Sequence, residues 1–155
     1  MWIDILPSRI GITSAMTYES HDSKYQNLKV LIIDDDPLIV QIVEQILKIM
    51  GLKDVQSTCY PKIGLEEILI SFETQKPIDL VICDWMMPEM TGIEVLKKVR
   101  DKNLDLAFIM LTAKMTVPAI SDARKLGIDA YIGKPFTGDQ LQQKVMAVAN
   151  RILKK

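Results

Sequence analysis

Val30-Leu31-Ile32-Ile33-Asp34-Asp35-Asp36-Pro37 decides how this chain reads. Its first four residues form an apolar run rich in β-branched side chains and too short for a helix. Such a run predicts a strand buried on both faces. Asp36-Pro37 then opens a helix, with Asp as N-cap and Pro at the first helical position. Leu38, Ile39, Ile42, Val43, Ile46, Leu47 and Met50 follow at helical spacing and predict its inward stripe, and Gly51 ends it. Three carboxylates in a row lie between strand and helix. The cap explains Asp36. It does not explain Asp34 and Asp35, which directly follow an apolar strand.

The same strand-then-helix alternation repeats four more times. Asp54–Thr58 predicts a strand and Lys62–Phe72 a helix with Ile63, Ile68 and Leu69 inward. Leu80–Cys83 is a strong strand, followed by a helix near Gly92–Arg100. Leu106–Leu111 is the most apolar strand, and a helix from about Pro118 to Leu126 ends at Gly127. Ala130–Ile132 is the last strand, and Thr137–Leu153 the last helix, with Leu141, Val145, Val148 and Ile152 inward. Five such units in series imply a parallel sheet between two helical layers. Right-handed crossovers and five strands favour the flavodoxin-like α/β sandwich, (βα)5, with strand order 2-1-3-4-5.

In such sheets chemistry collects at the carboxyl ends of the strands. Strand 1 ends in Asp34-Asp35-Asp36, strand 3 in Asp84, strand 4 in Thr112-Ala113, and strand 5 in Gly133-Lys134-Pro135-Phe136. Strands 1 and 3 are neighbours in the predicted order, so Asp34, Asp35 and Asp84 share a cleft, with Thr112 and Lys134 on its rim. Clustered carboxylates repel unless a cation joins them. Oxygen-only donors suit Mg²⁺, or Mn²⁺, rather than zinc. The single histidine, His21, and two unpaired cysteines make no zinc set. A carboxylate beside a metal, a hydroxyl and a lysine has what it needs to accept a phosphoryl group. Each residue has a plainer reading alone: Asp84 as a turn residue, Thr112 as a strand residue, Lys134-Pro135 as a turn signal. One group per strand end, in the right order, is what favours the chemical reading.

Composition excludes other classes. With 19 basic and 20 acidic residues the net charge is −1, which argues against a nucleic-acid binder held by a basic field. No stretch approaches the roughly 18 apolar residues of a membrane span. Asp4 and Pro7–Gly11 break up the apolar N-terminus, so it is not a secretory signal. Cys59 and Cys83 read as reduced and buried in a cytoplasmic protein. Residues 1–27 lack a steady period and read as an N-terminal extension, partly disordered or a docking arm, whose Trp2, Ile3, Ile5 and Leu6 could bind a surface. The regular domain is expected over 28–155.

Four segments resemble the response-regulator receiver family of two-component signalling: Val30–Pro37 (VLIIDDDP), Asp79–Gly92 (DLVICDWMMPEMTG), Ile109–Lys114 (IMLTAK) and Tyr131–Phe136 (YIGKPF). The resemblance implies that Asp84 is the phosphorylated residue. Asp34 and Asp35 would hold Mg²⁺, with Asp35 the direct ligand and the backbone carbonyl of Met86 a third protein ligand. Thr112 would be the switch hydroxyl, Lys134 would pair with the phosphoryl oxygens, and the Lys134–Pro135 peptide would be cis. Pro88 and Gly92 would shape the loop after Asp84. Tyr131 would turn inward as Thr112 moves, changing the surface of helix 4, strand 5 and helix 5. The implied partners are a histidine kinase or histidine phosphotransfer protein upstream and a target protein downstream.

The chain departs from the family's commoner patterns at several positions. Met86, two residues after Asp84, and Lys114, two after Thr112, stand at variable positions that, by the resemblance, would flank the path of a hydrolytic water. A bulky Met86 suggests slow self-dephosphorylation. Asp129 fits the charged dimer face of receivers from winged-helix regulators, but Ala130 and Asp139 do not complete it, so a monomer is expected in the unphosphorylated state. Helix 5 runs to the last residues, so a stand-alone receiver is expected. Such a protein is a phospho-switch that binds a target, or a relay carrier passing the phosphoryl group to another histidine. It is not expected to be an enzyme beyond its own phosphorylation and dephosphorylation. A Mg²⁺-dependent phosphatase with an Asp nucleophile generally carries a second acid where Met86 stands. A nucleotide- or flavin-binding domain would need a Gly-rich or hydroxyl-rich loop after strand 1, where this chain has Asp-Asp-Asp-Pro.

Overall fold

The computed structural model of the chain describes residues 24–113 and 116–155. Ten elements alternate: β1 (Lys29–Ile33), α1 (Pro37–Ile49), β2 (Asp54–Thr58), α2 (Pro61–Glu73), β3 (Leu80–Asp84), α3 (Gly92–Asp101), β4 (Ala107–Thr112), α4 (Val117–Lys125), β5 (Ala130–Gly133) and α5 (Gly138–Leu153). The five strands form one sheet in the order β2-β1-β3-β4-β5, with every pairing parallel. Fold class and strand order are those read from the sequence.

Successive side chains of a strand point to opposite faces, so each central strand feeds two cores. Val30 and Ile32 of β1 pack with Val43 and Leu47 of α1 and with Leu141 and Val145 of α5. Leu31 and Ile33 pack on the other face with Ile68 of α2 and Val95, Leu96 and Val99 of α3. The helix ends follow local chemistry. The Asp36 side chain accepts from the Leu38 N–H at 2.9 Å and starts α1. Thr91 with Glu94, and Thr137 with Gln140, form capping boxes that start α3 and α5. Gly51 and Gly127 take left-handed φ values of 87° and 74° just past α1 and α4.

Several expectations about the core need correction. Leu38 and Ile42 of α1 are 66% and 47% exposed, and Val40 is buried instead. Apolar residues cover too much of the circumference of α1 for the sheet and α5 to cover them all. Ile63 is exposed too, because α2 sits on the sheet through the neighbouring Gly64. A Cβ there would come within 2.5 Å of Ile33 Cδ1, so α2 turns Gly64 inward and Ile63 outward. Cys83 is buried as expected, but Cys59 is only half-buried. Tyr25, read as part of the extension, is 6% exposed, packs in the α1/α5 core and donates its hydroxyl to Asn150 Oδ1 at 3.0 Å. Trp2, Ile3, Ile5, Leu6, His21 and Lys114 lie outside the described residues. Among the described residues no helix is long and apolar enough to cross a membrane.

Candidate functional site

The carboxyl ends of β1, β3, β4 and β5 converge because the strands are parallel and nearly in register. Ile33 lies opposite Cys83, Asp84 opposite Leu111, and Thr112 opposite Gly133. The loops that follow are tied to neighbouring strand ends by backbone bonds. The Asp34 N–H donates to the Thr58 carbonyl at 3.2 Å, Trp85 N–H to Leu111 O at 2.8 Å, and Lys134 N–H to Thr112 O at 2.7 Å.

This framework brings Asp34, Asp35 and Asp84 together, each offering a carboxylate oxygen within 4.8 Å of the others. Asp34 and Asp84 are buried and Asp35 is exposed. Asp34 Oδ1 accepts from the Asp36 N–H at 2.9 Å, which fixes the turn into α1. Its Oδ2 accepts from Lys134 Nζ at 2.7 Å. The same ammonium lies 3.1 Å from Asp84 Oδ1, so one cation serves two carboxylates. Lys134 reaches them from the far side of the sheet's centre, across β4, and its peptide bond to Pro135 is cis.

The electrostatics follow from this crowding. Burial, then the charge of Asp34, push the Asp84 carboxyl up to about 6 from its ordinary 3.8, against the pull of Lys134. Burial alone would lower Lys134, but its hydrogen bond to Asp34 and the charge of both acids hold it above its ordinary value. Cys83 is pushed well up by burial and then by the charges of Asp84 and Asp34, so it stays a thiol. Among the described residues, three carboxylates face one ammonium, an excess of negative charge with Asp35 exposed at its outer side. Such an all-oxygen set fits a hard divalent cation of the Mg²⁺ type.

The remaining sequence-derived residues lie around this cluster. Thr112 is buried at the end of β4, next to the Lys134 backbone. Met86 is 67% exposed, two residues past Asp84. Tyr131 is not among the carboxylates. It is half-buried on β5, opposite Met110, with Lys144 Nζ 5.8 Å from its ring centroid. Asp129 is engaged inside its own chain: its Oδ2 accepts from the Phe108 N–H at 2.8 Å, and Arg151 lies 3.9 Å from its Oδ1.

Two features were not legible in the sequence. A Cβ on Gly92 would collide with the Asp84 carbonyl and approach Met110 Sδ to 2.7 Å, so α3 begins in direct contact with the strand that carries Asp84. Glu89, at a left-handed φ of 69°, pairs with Lys62 at 3.3 Å and joins the β3–α3 loop to the start of α2. Pro88 and Gly92 are expected to shape this loop, but nothing in the sequence shows that Gly92 lies against the Asp84 carbonyl.

A five-stranded parallel sheet between two helical layers, with an acidic trio and a bridging lysine at its carboxyl edge, places the chain in the flavodoxin-like α/β class. The response regulator receiver domain model matches residues 30–146, and the chain belongs to that family. It is 33% identical to the chemotaxis protein CheY-3 of Vibrio cholerae over 131 residues, covering 82% of this chain and 95% of that protein. It is 38% identical to the response regulator SaeR of Staphylococcus epidermidis over 111 residues, covering 72% of this chain but only 45% of that protein. Among solved structures, a CheY-like receiver domain from Methanospirillum hungatei JF-1 superposes with a TM-score of 0.72 at 29% identity, covering 82% of this chain and 98% of that one.

Proposed function

We propose that this chain is a phosphorylation-controlled switch of two-component signalling in the cytoplasm, with Asp84 as its phosphoacceptor and Asp34, Asp35 and the Met86 carbonyl as its metal-holding groups. The observation that carries the reading is Lys134 Nζ standing 2.7 Å from Asp34 and 3.1 Å from Asp84 at the open edge of the sheet. In the proposed step a carboxylate oxygen of Asp84 attacks the phosphorus of a phosphohistidine. The new O–P bond forms as the N–P bond breaks, and the imidazole leaves with the electron pair. A divalent cation, when bound, supplies positive charge that offsets the carboxylates and the phosphoryl oxygens. Lys134 keeps its ammonium throughout and can swing from Asp84 to the new phosphoryl oxygens. Thr112 donates its hydroxyl to one of them.

Moving Thr112 toward the phosphoryl group opens space beside β4. Tyr131, one strand over and only half-buried, is free to fill it. The α4–β5–α5 surface then favours a second state that binds a target protein. The phosphatase alternative has no support at position 86, where an exposed Met cannot transfer a proton. The test is intact-protein mass after incubation with Mg²⁺ and acetyl phosphate. A Mg²⁺-dependent, alkali-labile phosphoryl adduct is expected on the wild type and not on Asp84→Asn. No adduct on folded, Mg²⁺-bound wild type, from acetyl phosphate or phosphorylated kinases, would refute the reading.

A further inference from the structure

The α1/α5 face carries an apolar surface that the fold leaves uncovered. Leu38, Ile42 and Ile49 of α1 are 66%, 47% and 65% exposed. With Gln45 they recur at spacings of four, three and four, so they form one continuous stripe along the helix. The stripe leans toward α5. Ile39 and Ile46, which flank it, are partly buried, and Ile46 Cδ1 lies 3.9 Å from where a Cβ on Gly138 would stand, at the start of α5. Met146 and Leu153 of α5 are exposed too, and share a side of that helix with Asn150. Lys144 lies on the opposite side, over Tyr131. Five large apolar side chains thus border the seam between α1 and α5, along with Gln45 and Gln142.

The chain itself supplies an occupant. Tyr25 sits at one end of this seam, in the same core cluster as Leu47 and Met50 of α1 and Val148 and Ala149 of α5. Its hydroxyl bonds to Asn150 of α5. Among residues 1–23, Trp2, Ile3, Ile5 and Leu6 are the densest apolar group. Leu6 is 18 residues from Lys24. A coil of that length has an r.m.s. span of about 23 Å, and the 13-residue α1 is about 20 Å long. Effective concentration peaks when the tether's span matches the distance to be bridged. This segment carries three acids and one arginine, so it brings no charge run that would resist an apolar seat.

We propose that residues 1–23 dock on the α1/α5 seam of their own chain, with Trp2, Ile3, Ile5 and Leu6 covering Leu38, Ile42, Ile49, Met146 and Leu153.

Trp2 and Trp85 are the only tryptophans, so Trp85→Phe in the full chain leaves Trp2 as sole reporter. Its emission is expected to be blue-shifted, with acrylamide quenching several-fold weaker than for a peptide of residues 1–23. Ile42→Glu and Ile49→Glu, both at exposed positions, should each return it to the peptide's values, and dilution should change nothing. A second measurement needs no change at Trp85. The δ1 methyl resonances of Ile42 and Ile49 should be displaced by the Trp2 ring and relax on Trp2→Ala in the full chain. Solvent-like Trp2 emission would overturn the proposal, as would shielding indifferent to both glutamate variants. Shielding lost on dilution would assign the face to a second copy. Methyl resonances unmoved by Trp2→Ala would overturn it independently.

Discussion

The α-carbon of Gly92 packs so closely on the carbonyl of Asp84 that no side chain fits between them. The helix after the phosphoacceptor loop is thereby seated directly on the acceptor's own backbone. The Gly92 N–H also donates to the Trp85 carbonyl at 2.9 Å, closing the loop in between. Position 92 thus sets where Asp84 stands relative to Asp34 and Lys134.

Gly92→Ala should therefore act on stability and on the site together. Displacing α3 from β3 is expected to cost about 1–3 kcal/mol, the usual range for overpacking a tight contact. It should also weaken Mg²⁺ binding, read from Trp85 fluorescence. An alanine that leaves both unchanged would show that α3 can shift away from Asp84 without consequence.

The raised carboxyl of Asp84 makes stability depend on pH, with a fixed sign. A group held above its ordinary value favours the fold while it is protonated. That contribution is complete below about pH 4 and is lost as pH rises through about 6. In chelator, Asp84→Asn should be more stable than wild type at pH 8 by about 1–3 kcal/mol. The two should converge near pH 4. Thermal unfolding at both pH values checks this, and added Mg²⁺ should raise the wild type's Tm far more than the variant's.

Lys134→Met removes the cation that bridges Asp34 and Asp84. The Asp84 carboxyl should then titrate higher still, by about one unit or more, readable by ¹³C NMR of the carboxyl carbon. Phosphorylation by acetyl phosphate should slow by an order of magnitude or more, because a developing phosphoryl charge loses its partner. Lys134→Arg, longer and forked, should restore the titration better than the rate.

Met86 is exposed beside the acceptor and offers no group that orients a water. Met86→Asn should shorten the phosphoryl lifetime several-fold. Equal lifetimes would mean that access of water is set elsewhere.

The carboxyl-end chemistry was legible because the short apolar runs of β1, β3, β4 and β5 end in, or are soon followed by, a polar residue: Asp34, Asp84, Thr112 and Lys134. Once the sheet is parallel, Asp34, Asp84, Thr112 and Lys134 have only one edge to occupy. The face of α1 was not legible in the same way. Leu38 and Ile42 keep the spacing of core residues, and periodicity reports an apolar stripe without saying whether anything packs on it. Tyr25 was hidden for the opposite reason, as a lone aromatic in polar text whose partner, Asn150, lies 125 residues away. The tight seat of Gly92 depends on a backbone contact that no side-chain pattern encodes. Ile63 turned outward because its neighbour Gly64 takes the place against Ile33.

The most direct test of the central claim locates the phosphoryl bond itself. Borohydride reduces an aspartyl phosphate to homoserine, and peptide mass spectrometry then reads which residue carried it. After Mg²⁺ and phosphodonor treatment, homoserine is expected at position 84 alone. Homoserine at position 34 or 35, or none in protein shown to bind Mg²⁺, would contradict the account.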